Sequence, residues 1–193
     1  MTSQKTYLNV GCGRNIREGW INLDSYPLPG VDIVADLERC ADVPLDLADN
    51  SVDEFLLSHL MEHIRNVLSM MQELHRVAKP DAVMKVHVPY GSSDDAFEDP
   101  THVRQMFLGS FGYFSQPYYW RADYGYRGDW ITEDIELVVK QGYAHLSHAD
   151  VMSHVHYGRN VVIEMIATLR ALKPIREPRR ELQNSPLVRL RFV

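Results

Sequence analysis

Cysteine is scarce in this chain: Cys12 and Cys40 are the only two among 193 residues. Two cysteines build no disulfide framework, which excludes a small stapled secreted scaffold, and both read as reduced thiols. Long apolar runs are missing as well. No stretch approaches the ~18 apolar residues of a membrane-spanning helix. The opening residues, Met1 to Lys5, lack the apolar centre of a signal peptide. Basic charge is in deficit, since 20 Lys and Arg face 26 Asp and Glu for a formal charge of −6. That balance argues against a protein that grips phosphate backbones over a broad surface. No internal repeat or low-complexity tract stands out. What is present is ordinary globular material: 45% hydrophobic and 24% charged residues, enough apolar side chain for one core. The expectation is a single cytoplasmic domain over residues 1–175, followed by an Arg- and Pro-rich tail over 176–193, with no membrane partner.

The chain alternates strand and helix patterns. Tyr7 to Val10, Trp20 to Leu23, Val31 to Ala35 and Val52 to Ser58 read as strands. In the last of these, Phe55, Leu56 and Leu57 form the near-continuous apolar run of a strand covered on both faces. Ile64, Val67, Leu68, Met71, Leu74 and Ala78 recur at helical spacing until Pro80. Val83 to Val88 is a fifth strand. Thr132 is read as the N-cap of a helix through Gly142, with Glu133 and Asp134 in its first turn. Ala144 to Val151 and Val161 to Leu172 are read as late strands. Such alternation predicts a mainly parallel, doubly wound α/β sheet. Residues 90–130 break the rhythm and hold, from Phe107 to Trp130, ten of the nineteen aromatic residues. A loop that long is either a lid over a pocket or an aromatic subcore or dimer contact.

The chemistry-bearing residues fall at strand ends. Gly11-Cys12-Gly13 closes the first strand, where a turn without Cβ atoms lets backbone approach a ligand. Asp24 closes the second, placed to accept from two ribose hydroxyls; it also suits a turn ahead of Pro27. Only 13 positions separate Gly11 from Asp24, against about 20 in the dinucleotide fingerprint. The third glycine of that fingerprint is missing too, so NAD is disfavoured and no full helix fits between these strands. Asp36, followed by Leu37, closes the third strand; it suits adenine recognition and equally a loop that caps its own backbone.

The set resembles the SAM-dependent methyltransferases of the type 11 group. The resemblance is carried by Leu8-Asn9-Val10-Gly11-Cys12-Gly13, Gly19-Trp20-Ile21-Asn22-Leu23-Asp24, Ala35-Asp36-Leu37, Asn50-Ser51-Val52-Asp53-Glu54, Ser58-His59-Leu60-Met61-Glu62-His63-Ile64 and Glu73-Leu74-His75-Arg76-Val77-Ala78-Lys79-Pro80. It implies a Rossmann-like, seven-stranded sheet with its last strand antiparallel, and S-adenosyl-L-methionine (SAM) as cofactor. Gly11, Cys12 and Gly13 would pass the methionyl part of SAM, Asp24 the ribose, Asp36 and Leu37 the adenine, and Ser58 and His59 the methyl end. The family's Lys-Pro-Gly-Gly turn is here Lys79-Pro80-Asp81-Ala82.

Histidines complete the inventory. His102, in Asp99-Pro100-Thr101-His102-Val103-Arg104, is the first candidate for a general base, with His59 second. Arg104 suits an acceptor carboxylate or phosphate. His59 and His63 stand four apart, a zinc spacing if both lay on one helix. They fall at a strand-to-helix junction instead, so no metal is expected. His145, His148, His154 and His156 read as solvent-facing strand positions. The expected function is methyl transfer to a small-molecule acceptor. A nucleic-acid methyltransferase and a non-catalytic SAM-binding scaffold are the alternatives, and a homo-oligomer stays open.

Overall fold

The computed structural model describes residues 5–193. Residues 1–4, most of the opening segment read above as lacking a signal peptide, lie outside that range. Eight strands form one sheet: β1 (Tyr7–Val10), β2 (Ile21–Asp24), β3 (Ile33–Val34), β4 (Val52–Ser58), β5 (Ala78–Pro89), β6 (Trp130–Val139), β7 (Val162–Ala171) and β8 (Leu187–Phe192). Their order is β3-β2-β1-β4-β5-β7-β6-β8. The order reverses at β1/β4, the switch point beside which ligands bind in open α/β sheets. β7 runs antiparallel to both β5 and β6, and the other pairs are parallel.

The expected Rossmann-like sheet is therefore present, with one correction to its count. The antiparallel strand is the seventh, and an eighth lies outside β6. That strand is the Leu/Arg alternation of the tail. Val188, Leu190 and Phe192 pack against the core. On the other side Arg189 Nε donates to Asp134 Oδ2 at 2.6 Å and Arg191 Nε to Glu136 Oε1 at 2.7 Å. A two-residue period divides the strand between core and charge pairs on β6.

Among the described residues three α-helices accompany the sheet: α1 (Val67–Val77), the single turn α2 (Asp95–Glu98) and α3 (His148–Tyr157). α1 buries Val67, Met70, Met71, Leu74 and Val77 on one stripe. It stops at Ala78, already extended, because Pro80 disfavours helical geometry in Lys79 and cannot donate an amide hydrogen. As expected, residues 11–20 contain no helix. Among the described residues, no helix is long and apolar enough to cross a membrane.

Two expectations fail between β5 and β7. Residues 132–142 are not a helix; most of them belong to β6. Trp130, Thr132, Ile135, Leu137 and Val139 are buried, but the alternation slips between Thr132 and Asp134, where the register shifts. That irregularity hides the strand period, and Glu133-Asp134 then imitates an acidic first turn. Glu133 instead pairs with Arg170 at 2.6 and 2.9 Å. Residues 144–151 are not a strand. Ser147 caps α3 by accepting from the Asp150 amide at 3.2 Å, and Val151 and Val155 face the core. His148, His154 and His156 thus lie on a helix, with His145 in the turn before it.

One sheet face is apolar. Leu8, Val10, Phe55, Leu57, Met84 and Val86 are all at most 1% exposed and share a cluster with α1. The alternate residues are mostly polar: Asn9, Asn22, Ser58, Lys85, His87, Glu164, Thr168, Asp134 and Glu136. From that second set Asn9 and Ser58 line one cavity of the site and Glu164 another.

Candidate active site

The turn after β1 is built on left-handed backbone. Gly11 has φ +64° and Gly13 φ +52°. A Cβ at Gly11 would lie 2.6 Å from Leu60 Cδ1, so the Leu60 side chain would have to move, and the left-handed φ disfavours any other residue there. Beside Gly13 nothing stands within 4 Å of the Cβ position, which leaves its backbone open to a ligand. The Cys12 amide donates to the Leu23 carbonyl at 2.9 Å and the Gly13 amide to Asp24 Oδ2 at 2.8 Å. Asp24 Oδ1 accepts from the Tyr26 amide at 3.0 Å. The loops after β1 and β2 are therefore latched together. A cavity of about 350 Å³ opens here, lined among others by Asn9, Gly11, Cys12, Arg17, Leu56 and Ser58. Burial raises the Cys12 thiol pKa, so it offers shape rather than a nucleophile.

The third loop contributes less than expected. Asp36 Oδ1 accepts from the Glu38 amide at 3.0 Å and caps the short turn Leu37–Arg39. Leu37 is buried in the core cluster at 5% exposure, which leaves almost none of it to cover an adenine. Its expected contact with adenine would have to be made through the small part of the side chain that stays accessible.

Ser58 ends β4 on the first cavity. The next residue, His59, has φ +51°, a left-handed conformation that turns the chain out of the strand. His59 lines a second cavity of about 690 Å³ together with Glu62, His63, Asp99, His102 and Glu164. Its Nε2 lies 3.0 Å from Glu164 Oε1 and its Nδ1 3.5 Å from Glu62 Oε1. The carboxylates of Glu164 and Glu62 raise the His59 pKa to about 10. In turn His59, then His87 at 3.4 Å, hold Glu164 down to about 2. Both ring nitrogens of His59 face carboxylates, so the ring is held as a donor.

His102 also lines this cavity. Its Nδ1 is buried without a hydrogen-bond partner, and Nε2 is 3.9 Å from Asp99 Oδ2. His63 meets it edge-on, with ring centroids 4.7 Å apart. Glu62 is 1% exposed, and neither carboxylate oxygen has a hydrogen-bond partner. Arg104 does not reach the cavity. Its guanidinium donates to the Ile64 and Arg65 carbonyls and so ties the 99–104 loop to the start of α1.

The aromatic segment divides. Phe107 packs edge-on to Tyr90 at 5.6 Å, near the carboxyl edge. Phe111, Phe114, Tyr119, Tyr126 and Trp130 are buried in the main cluster. Trp130 Nε1 donates to the Met71 carbonyl at 3.0 Å, and Trp130 begins β6, at the edge of the sheet opposite the site. Five of the ten rings thus join the core, with Trp130 seated on α1. The part of the excursion that lines the second cavity is its start, Asp95 to His102.

Comparison with known proteins bears on the fold that carries these loops. Residues 8–85 match the family model of the methyltransferase domain. Those residues are similar to a methyltransferase domain over 78 of the 193 residues. They hold β1 to β4, α1 and most of β5, and with them the whole first cavity. The cofactor of this methyltransferase class is SAM. Solved structures share the fold at low identity. A SAM-dependent methyltransferase from Archaeoglobus fulgidus is 16% identical, with TM-score 0.59, covering 87% of this chain and 86% of that one. One from Mesorhizobium loti is 12% identical, with TM-score 0.52 and coverage of 86% and 90%. The cyclase SpnF is 16% identical, with TM-score 0.54 and coverage of 87% and 75%. Curated proteins give no significant match.

Four residues that organise the site carry no functional signature in the sequence. Glu164 holds the His59 ring, and Glu62 faces its other nitrogen at 3.5 Å. Asn9 and Asn22, each 3% exposed, hold the loop over residues 11–20. The asparagines do carry a positional signal: each interrupts an otherwise apolar strand. Glu164 follows Val161-Val162-Ile163 in the same way.

Proposed function

We propose that this methyltransferase moves the methyl group of SAM to a small-molecule acceptor held in the 690 Å³ cavity. One observation carries the reading. Consecutive residues, Ser58 and His59, line the glycine-loop cavity and the histidine cavity respectively, so donor and acceptor would meet at the end of β4. The residues fit SAM in two respects. The glycine turn has no Cβ in a ligand's way at Gly13, and Asp24 keeps carboxylate lone pairs beyond those given to Gly13 and Tyr26. Gly11, Cys12 and Gly13 would hold the methionyl part, Asp24 the ribose, Asp36 the adenine through its free oxygen, and Ser58 the methyl end. Bound SAM supplies an electrophilic methyl on its sulfonium. The chain's own work is alignment, which is worth about 7–11 kcal/mol of barrier when two partners are well placed. His59 orients groups at the junction as a donor, and His102 offers a lone pair on the acceptor side. The cavity's wall of His59, His63, His102, Glu62 and Glu164 favours a polar metabolite of limited size over a nucleic-acid backbone, consistent with the charge of −6.

Calorimetry with SAM and S-adenosylhomocysteine tests the donor half. Incubation with methyl-labelled SAM and cell extract, fractionated by size, tests the acceptor half. Label in the low-mass fraction, with S-adenosylhomocysteine released, is the expected result. Label confined to RNA or DNA would move the reading to a nucleic-acid acceptor. SAM binding with no turnover on any fraction would make the chain a SAM-binding scaffold, and a folded sample that binds neither ligand would remove the enzyme reading.

A further inference from the structure

We infer that Glu62, His63 and His102 form a binding site for a first-row divalent metal ion, on the acceptor side of the reaction centre. Each of the three offers a ligating atom within 4.8 Å of the others. Bond lengths of about 2.0–2.2 Å put ligand atoms at most ~4.4 Å apart, so the three groups stand within a few tenths of an ångström of the spacing one ion requires, a distance that small side-chain rotations close.

A cluster of such residues is not enough by itself, and the second observation is Glu62. Its side chain is almost wholly buried, at 1% exposure, and both oxygens lack hydrogen-bond partners. A carboxylate taken out of water and left unsatisfied is costly, and native proteins pair such groups or give them to a metal. His59 is not that partner in full. Its shorter contact is 3.0 Å to Glu164, while Glu62 stands off at 3.5 Å. His102 Nδ1 is a second buried, unpartnered atom in the same cluster.

The surrounding bonds prepare His63. Thr101 Oγ1 donates to Asp99 Oδ1 at 2.6 Å and lies 2.9 Å from His63 Nδ1. With the hydroxyl hydrogen given to Asp99, His63 Nδ1–H donates to Thr101, which leaves the lone pair on Nε2. Carboxylate–hydroxyl–histidine chains of this kind fix the tautomer and angle of a ligating ring. Two imidazoles and one carboxylate suit Zn²⁺, Co²⁺, Mn²⁺ or Fe²⁺ and leave positions open for further ligands. Those positions would face the 690 Å³ cavity, so the acceptor class is one with an oxygen able to coordinate. His102 then serves as a ligand, not as a base acting alone. The assignment of acceptor chemistry rests on the function proposed above; the metal site itself does not.

The test uses the full chain, stripped with chelator and without SAM. Zn²⁺ is titrated by equilibrium dialysis with elemental analysis, and Co²⁺ is followed by its visible spectrum. Wild type should bind one equivalent of Zn²⁺, show Co²⁺ d–d bands and melt at higher temperature with metal. Glu62→Gln, His63→Ala and His102→Ala should each weaken Zn²⁺ at least tenfold and lose the thermal shift, whereas His145→Ala should keep both. Thr101→Val should weaken Zn²⁺ about 10–100-fold through the His63 ring. Circular dichroism identifies any variant that fails to fold, and the remaining variants then decide. Wild type that takes up no Zn²⁺, or folded variants that bind as tightly as wild type, would overturn the site. Because SAM is absent, that failure leaves the methyl-transfer reading standing, and failed SAM binding would leave this site standing.

Discussion

Gly13 and Asp24 are joined by a 2.8 Å hydrogen bond from the glycine amide to the carboxylate Oδ2. The bond turns two separate loops, one after β1 and one after β2, into a single preorganised edge. Asp24 therefore acts twice in the proposed reading, as ribose acceptor and as the clamp on the glycine turn. Asp24→Ala should weaken SAM by about 10–100-fold, since hydrogen bonds to a charged group contribute roughly 1.5–3 kcal/mol. Asp24→Asn keeps one oxygen for Gly13 and should fall between wild type and Ala. Calorimetric titration with SAM gives the ranking, and an Ala variant that binds like wild type would take the ribose away from this residue.

Asn22 replaces a missing crossover helix with side-chain bonds. Its Oδ1 accepts from Asn9 Nδ2 and from the Arg17 amide, both at 2.9 Å. Its Nδ2 donates to the Arg17 carbonyl at 3.0 Å and the Trp20 carbonyl at 3.1 Å. Asn22→Ala leaves several of these groups without a partner, at about 1–3 kcal/mol for each buried group left unsatisfied. The expected loss is about 3 kcal/mol in urea unfolding. A loss under about 1 kcal/mol would mean that the loop refolds onto water and is not held by this residue.

Asp129 is 0% exposed and binds Arg176 through Nε and one guanidinium NH₂, both at 2.8 Å. Arg176 also donates to Ser115 Oγ at 2.7 Å, so β6, the aromatic segment and the chain after β7 share one knot. Removing one member of a buried pair costs about 3–5 kcal/mol, because the other is left uncompensated. Asp129→Ala should lower Tm by roughly 10 °C in a chain of this size. Asp129→Leu combined with Arg176→Met should recover part of the loss. A double variant no more stable than Asp129→Ala would show that the knot's value lies in its hydrogen bonds to Ser115 and the backbone.

These networks show where sequence reasoning stops. β1, β2, β4, β5 and α1 were legible because a local period of two or 3.6 records which side faces the core. The glycine turn and Asp24 were legible because strand ends place ligand groups regardless of the far parts of the fold. β6 was not, since one slipped residue at Glu133 breaks its period. α3 was not, since only Val151 and Val155 mark its buried side. The chemistry of the second cavity was half legible. His59 and His102 stood out by type, but the burial of Glu62 and the approach of Glu164 from β7 are tertiary facts with no local period to announce them.

His75 supplies a pH dependence that is separate from the site. It lies in α1, 4% exposed, edge-on to Trp130 with ring centroids 5.7 Å apart and with Nε2 3.1 Å from the Leu172 carbonyl. Burial lowers its pKa below the ordinary value of 6.5. The unfolded chain then binds a proton near pH 6.5 that the folded chain refuses until the pH is lower. Stability from this residue is present above that pH and is lost as the pH falls toward the folded value, with a slope of at most about 1.4 kcal/mol per pH unit. Urea unfolding between pH 6.5 and 5.0 should therefore show a steeper decline for wild type than for His75→Gln, which removes the titration while keeping a donor near Leu172. Parallel curves for the two proteins would show that His75 takes its proton without cost and that acid sensitivity arises elsewhere.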